Sequence, residues 1–223
     1  MKKGRLICLT GIDGSGKTTL AHGLSDWLGA RRQAYQYVYA RFLPVLVRPL
    51  WGAAKLFFLS RRERRQGYSE YTARKRSLLK PGLFSRLHEI SVLTDYWFQI
   101  LFKISLPLWA GRNLICDRYV YDTVVSDLAP DLGYSPERMR KVIDSCLAVM
   151  PRPDLVFLLD VPEATSLSRK TDVAAVDYLT ERRGIYRSLT LRERAVTLDG
   201  TLPRDQVRDR AGEIVLDHFG GGA

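Results

Sequence analysis

Cysteine is scarce in this chain: Cys8, Cys116 and Cys146 are the only three among 223 residues. Each lies in an apolar run, and none has the spacing of a metal site. This pattern does not suit a secreted disulfide framework, and buried thiols in a reducing cytosol are expected. Uninterrupted apolar runs of membrane-spanning length are missing too. "FLPVLVRPLWGAAKLFFLS" is broken by Arg48, Pro49, Gly52 and Lys55, and "VLTDYWFQILFKISLPLWA" by Asp95, Lys103 and Pro107. The basic start "MKKGRLICLTG" leads into glycines rather than a small-residue cleavage site, so no signal peptide is read there. Internal repeats and low-complexity tracts are absent.

Acidic residues are in deficit. Against 35 Lys and Arg stand 24 Asp and Glu, a formal charge of +11, which points to anionic partners or to solubility alone. The imbalance is concentrated in residues 41–80, where eleven basic residues face only Glu63 and Glu70. This segment reads as an insertion. Its mix of Trp51, Phe57 and Phe58 with clustered arginines suits a membrane interface, a large anionic partner, or a flap packed on the core.

At 223 residues and 46% hydrophobic content, one well-buried domain over residues 1–220 is expected. "RLICLT", "AYQYVYA", "NLICD", "DLVFLLD" and "AVTLD" read as strands. Helical stripes intervene: Leu20, Leu24, Trp27 and Leu28; then 135–150, opened by Ser135 as N-cap and Pro136. Two more cover 175–189, with Gly184 as a tolerated break, and 203–219, before a glycine tail expected to be disordered. Strands alternating with helices predict an α/β fold, a doubly wound, mainly parallel five-stranded sheet with helices on both faces. Its ligands belong at the carboxyl ends of the strands, where Thr10, Asp117 and Asp160 fall.

"GIDGSGKT" satisfies G-x-x-x-x-G-K-[ST] between a strand and a helix, the context the motif requires. The P-loop is thus Gly11, Gly14, Ser15, Gly16, Lys17, Thr18 and Thr19, a cradle of backbone N–H groups for phosphates. Lys17 serves the β/γ-phosphates, and the Thr18 hydroxyl can ligate Mg²⁺. Asp13, inside the loop, would repel phosphate and so is expected to point towards an acceptor, unless it only caps turn amides. "LICDRYVYDT" carries Asp117 and Arg118 to the same edge, to hold metal and phosphate or to form a structural ion pair.

With "RPDLVFLLDVPEAT" and "SLSRKTD", these segments make the chain resemble the thymidylate kinase family of P-loop NTPase-fold nucleoside monophosphate kinases. The resemblance implies ATP and Mg²⁺ as cofactors. It implies Lys17 and Thr18 on the donor phosphates and metal, and Asp117 on the metal or the acceptor phosphate. Arg118 would hold the transferring phosphate and Asp13 the acceptor. Arg169, with Lys170, would belong to a lid over about 166–178 that closes over ATP, and "TLDGTLPRDQV", around Asp199 to Thr201, would lie near the adenine pocket. A cytoplasmic enzyme and a homodimer are the family's habit.

The resemblance departs on the acceptor side. Tyr96 stands where the family's helix carries an arginine, and only Arg41 and Pro44 of "ARFLP" stand for its Arg-Glu-Pro-Gly segment; Asp13, Arg41, Tyr96 and Arg118 are the residues expected to bind the acceptor. Thymidylate is the first-choice acceptor. A kinase of the same fold acting on a membrane-linked or glycan-precursor alcohol is the alternative. A nucleotide-dependent switch or nucleic-acid binder is a third reading, but no nucleic-acid partner is expected, since helix-turn-helix, zinc and RNA-binding signatures are missing.

Overall fold

The computed structural model describes residues 3–45, 82–169, 176–192 and 195–220. The basic segment beyond Val45, Lys170 with the centre of the expected lid, and the glycine tail lie outside the described residues.

Five short strands form one sheet: β1 (Leu6–Thr10), β2 (Tyr35–Tyr39), β3 (Asn113–Asp117), β4 (Leu155–Asp160) and β5 (Val196–Asp199). Their order is β2-β3-β1-β4-β5, and every pairing is parallel. Each expected strand forms, within one residue of its expected ends. β1 lacks alternation because both of its faces are covered, as a central parallel strand requires. Leu6 and Cys8 face one apolar layer, and Ile7 and Leu9 face the other.

The first layer packs Tyr96, Ile100 and Ile104 with Val124, Ile143 and Tyr186. They come from helix α2 (Leu83–Ile100) and its extension, the turns after β3, α3 (Pro136–Val149) and α5 (Val176–Arg192); the last two flank β4 and α4 (Glu163–Arg169). α3 begins as its sequence dictates, with the Ser135 hydroxyl accepting from Arg138 N at 3.2 Å and Pro136 at the first position. Gly184 lies inside α5 without interrupting it. The second layer joins Leu20, Leu24 and Leu28 of α1 (Lys17–Gly29) to Val207, Ala211 and Val215 of α6 (Arg204–Gly220). The three cysteines are free and buried, as expected.

The apolar run at 92–110 is one long helical segment with Tyr96, Ile100, Ile104 and Leu108 buried, while Phe98, Phe102 and Trp109 remain exposed. No described helix is long and apolar enough to cross a membrane. Its middle, Leu101–Ser105, is π-helical and stands just before Pro107; a second π-helical stretch, Thr123–Leu128, stands just before Pro130. Proline withholds the N–H that an α-turn needs, and the i→i+5 bonds Leu106 N to Leu101 O and Ala129 N to Val124 O widen the ladder ahead of each ring.

α1 and α6 touch closely at Gly212, where a Cβ would stand 2.4 Å from Cζ3 of the Trp27 ring. Gly212→Ala gains up to about 1 kcal/mol of helix propensity but forces the indole aside. A net loss of about 1–2 kcal/mol is expected in urea unfolding; unchanged or higher stability would refute this packing.

Candidate functional site

All five strands end at one edge, and the chain leaves β1 there towards the phosphate loop while β3 and β4 lie on either side of it. This is the switch-point crevice of an open parallel sheet. The loop is held from beyond by Ser166 in the middle of α4. Gly14 has φ 78, and a Cβ there would meet Ser166 O at 2.7 Å; the Ser166 hydroxyl donates to the Asp13 carbonyl. Only glycine satisfies both the dihedral and the approach.

Lys17 is buried, and its Nζ donates to Gly11 O at 2.7 Å, Ile12 O at 2.8 Å and Ser15 Oγ at 3.4 Å. Burial, reinforced by Arg118, pushes its ammonium down to about 8 against the pull of Asp122, Asp13 and Asp117. The next residue, Thr18, donates its hydroxyl to Asp117 Oδ2 at 2.6 Å, and the Tyr37 phenol reaches the same oxygen at 3.3 Å. Burial, then the Asp117 charge, raise that phenol to about 12, so it is a donor. Asp117 Oδ1 is buried and has no hydrogen-bond partner among the described residues.

Arg118 turns the chain sharply at φ 66, its N–H donating to Leu9 O at 3.1 Å and its carbonyl accepting from Cys116 Sγ at 2.8 Å. The guanidinium reaches Asp13 Oδ1 at 2.5 Å and lies 3.6 Å from Asp122 Oδ1. Burial alone would raise the Asp13 carboxyl, but Arg118 and Lys17 hold it down to about 2. Asp122 is completely buried; it accepts from Thr10 Oγ1 at 2.9 Å and from Tyr186 OH at 3.2 Å, and burial raises its pKa.

A cavity of 760 Å³ opens over the loop, lined by Gly16, Lys17, Thr18, Arg118, Arg169 and Val207 among others. That volume suits a nucleotide-sized ligand. Arg169 crosses its wall, donating to Gly200 O at 3.0 Å. Asp13, the loop, Asp117, Arg118 and Arg169 thus lie together at the carboxyl edge of the sheet.

The acceptor-side expectations meet different surroundings. Tyr96 is a core residue, 1% exposed; its hydroxyl donates to Ala40 O at 3.0 Å, and its ring stands edge-on to Phe42. It supports the chain beside Arg41 from behind. Arg41 itself is half-buried and clamps Asp127, Nη2 to Oδ1 at 2.6 Å. Asp95 on the same helix accepts from Val45 N at 2.9 Å.

Sequence reading missed Asp122, Tyr186, Tyr37 and the arginines of α5. Asp122 carried a signal, the i,i+4 spacing from Arg118 in "DRYVYD". Arg183 and Arg187 both hold Asp160 at the end of β4, Arg183 Nε to Oδ1 at 2.6 Å, which no spacing announces.

A phosphate loop, a threonine-carboxylate pair beside it and an arginine facing it across a parallel-sheet crevice define the class of P-loop kinases. No family model matches the chain. It is 30% identical to a probable thymidylate kinase of Pyrococcus horikoshii over 75% of this chain and 70% of that protein. It is 28% identical to the thymidylate kinase of Desulfovibrio desulfuricans over 90% of each chain, and 26% identical to a probable thymidylate kinase of Staphylothermus marinus over 97% and 96%. The chain belongs to the thymidylate kinase family and is a kinase.

The Asp13 carboxylate contributes stability in full above its ordinary pKa of 3.8, and this is lost as pH falls towards 2. Asp13→Asn is expected to cost about 2 kcal/mol near neutral pH. The gap to wild type should shrink in urea melts carried below pH 3.8. A gap that stays constant with pH would contradict the Arg118 pairing.

Proposed function

We propose that the chain is an ATP- and Mg²⁺-dependent nucleoside monophosphate kinase with thymidylate as acceptor. The observation that carries this reading is the juxtaposition of Lys17, Thr18, Asp117, Arg118 and Asp13 at one crevice. The donor-side cavity and the names of the relatives support it.

The loop N–H groups and Lys17 bind the β- and γ-phosphates of the donor. The residues present fit a magnesium ion: Thr18 offers a hydroxyl and Asp117 a buried oxygen without a partner among the described residues. Among the described residues no group of three or more His, Cys, Asp or Glu could hold a metal ion; an ion here would take its other ligands from phosphate and water. When bound, Mg²⁺ draws negative charge from the phosphates at the reacting end. Arg118 stabilises the charge on the phosphoryl group in flight, and Asp13 orients the acceptor beside it. Arg169, on the cavity wall, adds positive charge as the site closes and excludes water. An acceptor phosphate oxygen attacks Pγ in line, the bond from Pγ to the bridging oxygen breaks, and ADP leaves as the diphosphate forms.

Coupled detection of ADP across nucleoside monophosphates tests the reading. Thymidylate is expected to stimulate release most, and absence of stimulation by any monophosphate would overturn it. Lys17→Ala is expected to lower turnover by about 10²–10³ or more with the fold intact. Asp117→Asn is expected to lower turnover more than ATP affinity; an unchanged rate would remove Asp117 from the mechanism.

A further inference from the structure

The end of β3 carries one contact the reaction above does not use, that of Tyr37 with Asp117. Two hydrogen bonds converge on a single oxygen of Asp117: Thr18 Oγ1 at 2.6 Å and Tyr37 OH at 3.3 Å both meet Oδ2, while the buried Oδ1 meets no donor among the described residues. A carboxylate with its donors shared between its oxygens would be symmetrical. Here both donors are on one side, which leaves the other oxygen to a ligand from outside the chain.

The geometry behind this is built from three elements. Tyr37 and Ile115 are partners in the β2–β3 register, and Asp117 is two residues further along β3, so Tyr37 and Asp117 lie on the same face of the sheet. That face is the one covered by α1. Thr18 and His22 stand one turn apart on α1, so both point at this pair. Thr18 bonds Asp117 directly, and the His22 ring stacks on the Tyr37 ring with centroids 4.0 Å apart and planes 27° apart. The stack limits where the phenol can swing, and the phenol limits how the carboxylate can turn.

We infer that Tyr37, backed by His22, is a positioning residue that fixes Asp117 with Oδ1 reserved for the metal. The inference rests on the reading of Thr18 and Asp117 as the metal side of the site. Outer partners of this kind act by removing rotational freedom from a ligand before the ion arrives. Thr18 can offer a lone pair to the metal while its O–H stays on Oδ2, but one donor leaves the carboxylate free to rotate about that bond; Tyr37 adds the second donor on the same oxygen.

The test uses Mn²⁺ as the probe, with free ion followed by its paramagnetic resonance as it is titrated onto the full chain with ADP. Tyr37→Phe keeps the stacked ring and removes only the hydroxyl. It is expected to weaken Mn²⁺ binding by about tenfold, at the lower end for an outer-shell partner. Affinity for ADP without metal should be unchanged. His22→Ala is expected to weaken Mn²⁺ binding in the same direction by less. Asp117→Asn, measured alongside, separates the two layers of the claim. If it loses the metal while Tyr37→Phe binds Mn²⁺ like wild type, the role of Tyr37 is overturned and the metal site stands. If Asp117→Asn itself binds Mn²⁺ normally, the metal site and the inference both fall. A Tyr37→Phe chain that loses metal-free ADP equally would make the tyrosine merely structural and would also overturn the inference.

Discussion

The ion pair between Arg118 and Asp13 is the constraint on which the rest of the site depends. It joins the end of β3 to the middle of the phosphate loop, two segments separated by more than a hundred residues. Arg118 pays for this position with a left-handed backbone, which a non-glycine residue adopts at a cost of about 1 kcal/mol or more. Hydrogen bonds on both sides of the residue, to Leu9 O and from Cys116 Sγ, hold the turn in place. Asp122 keeps the other edge of the guanidinium company, and through Tyr186 it ties that edge to α5.

The sheet makes such a junction possible. A parallel sheet covered on both faces brings every strand end to one side, so residues remote in sequence become neighbours there. Thr10, Asp117 and Asp160 each follow an apolar strand and each acquires a partner from a different element: Asp122, Thr18 and Arg183. The polar layer is therefore a rim on an apolar body. Its charged groups are already held by hydrogen bonds, Lys17 to carbonyls, Asp117 to hydroxyls and Arg118 to Asp13, which lowers the reorganisation needed during phosphoryl transfer.

Legibility in the sequence followed the length scale of the signal. The strands, α3, α5, α6 and the phosphate loop announce themselves by local runs, caps and glycine spacing, and all formed where expected. Asp117 and Arg118 were readable because a strand end has a known destination. Tyr37 was visible only as part of an alternating tyrosine set; its bond to Asp117 depends on the β2–β3 register, which the chain does not display. Asp127 and Arg41 are 86 residues apart and their pairing is purely tertiary. The surroundings of Tyr96 were hidden for a related reason: its place on the helix says nothing of the packing against Phe42 and the bond to Ala40 O that set it in the core.

The claim that one crevice holds both the donor and the acceptor is most directly tested with a bisubstrate ligand, adenosine and thymidine joined through a pentaphosphate. In calorimetric titration with Mg²⁺ present, the account predicts one site per chain, affinity well above that of ATP or thymidylate alone, and displacement by either. Binding no tighter than ATP, with thymidylate unable to compete, would contradict it.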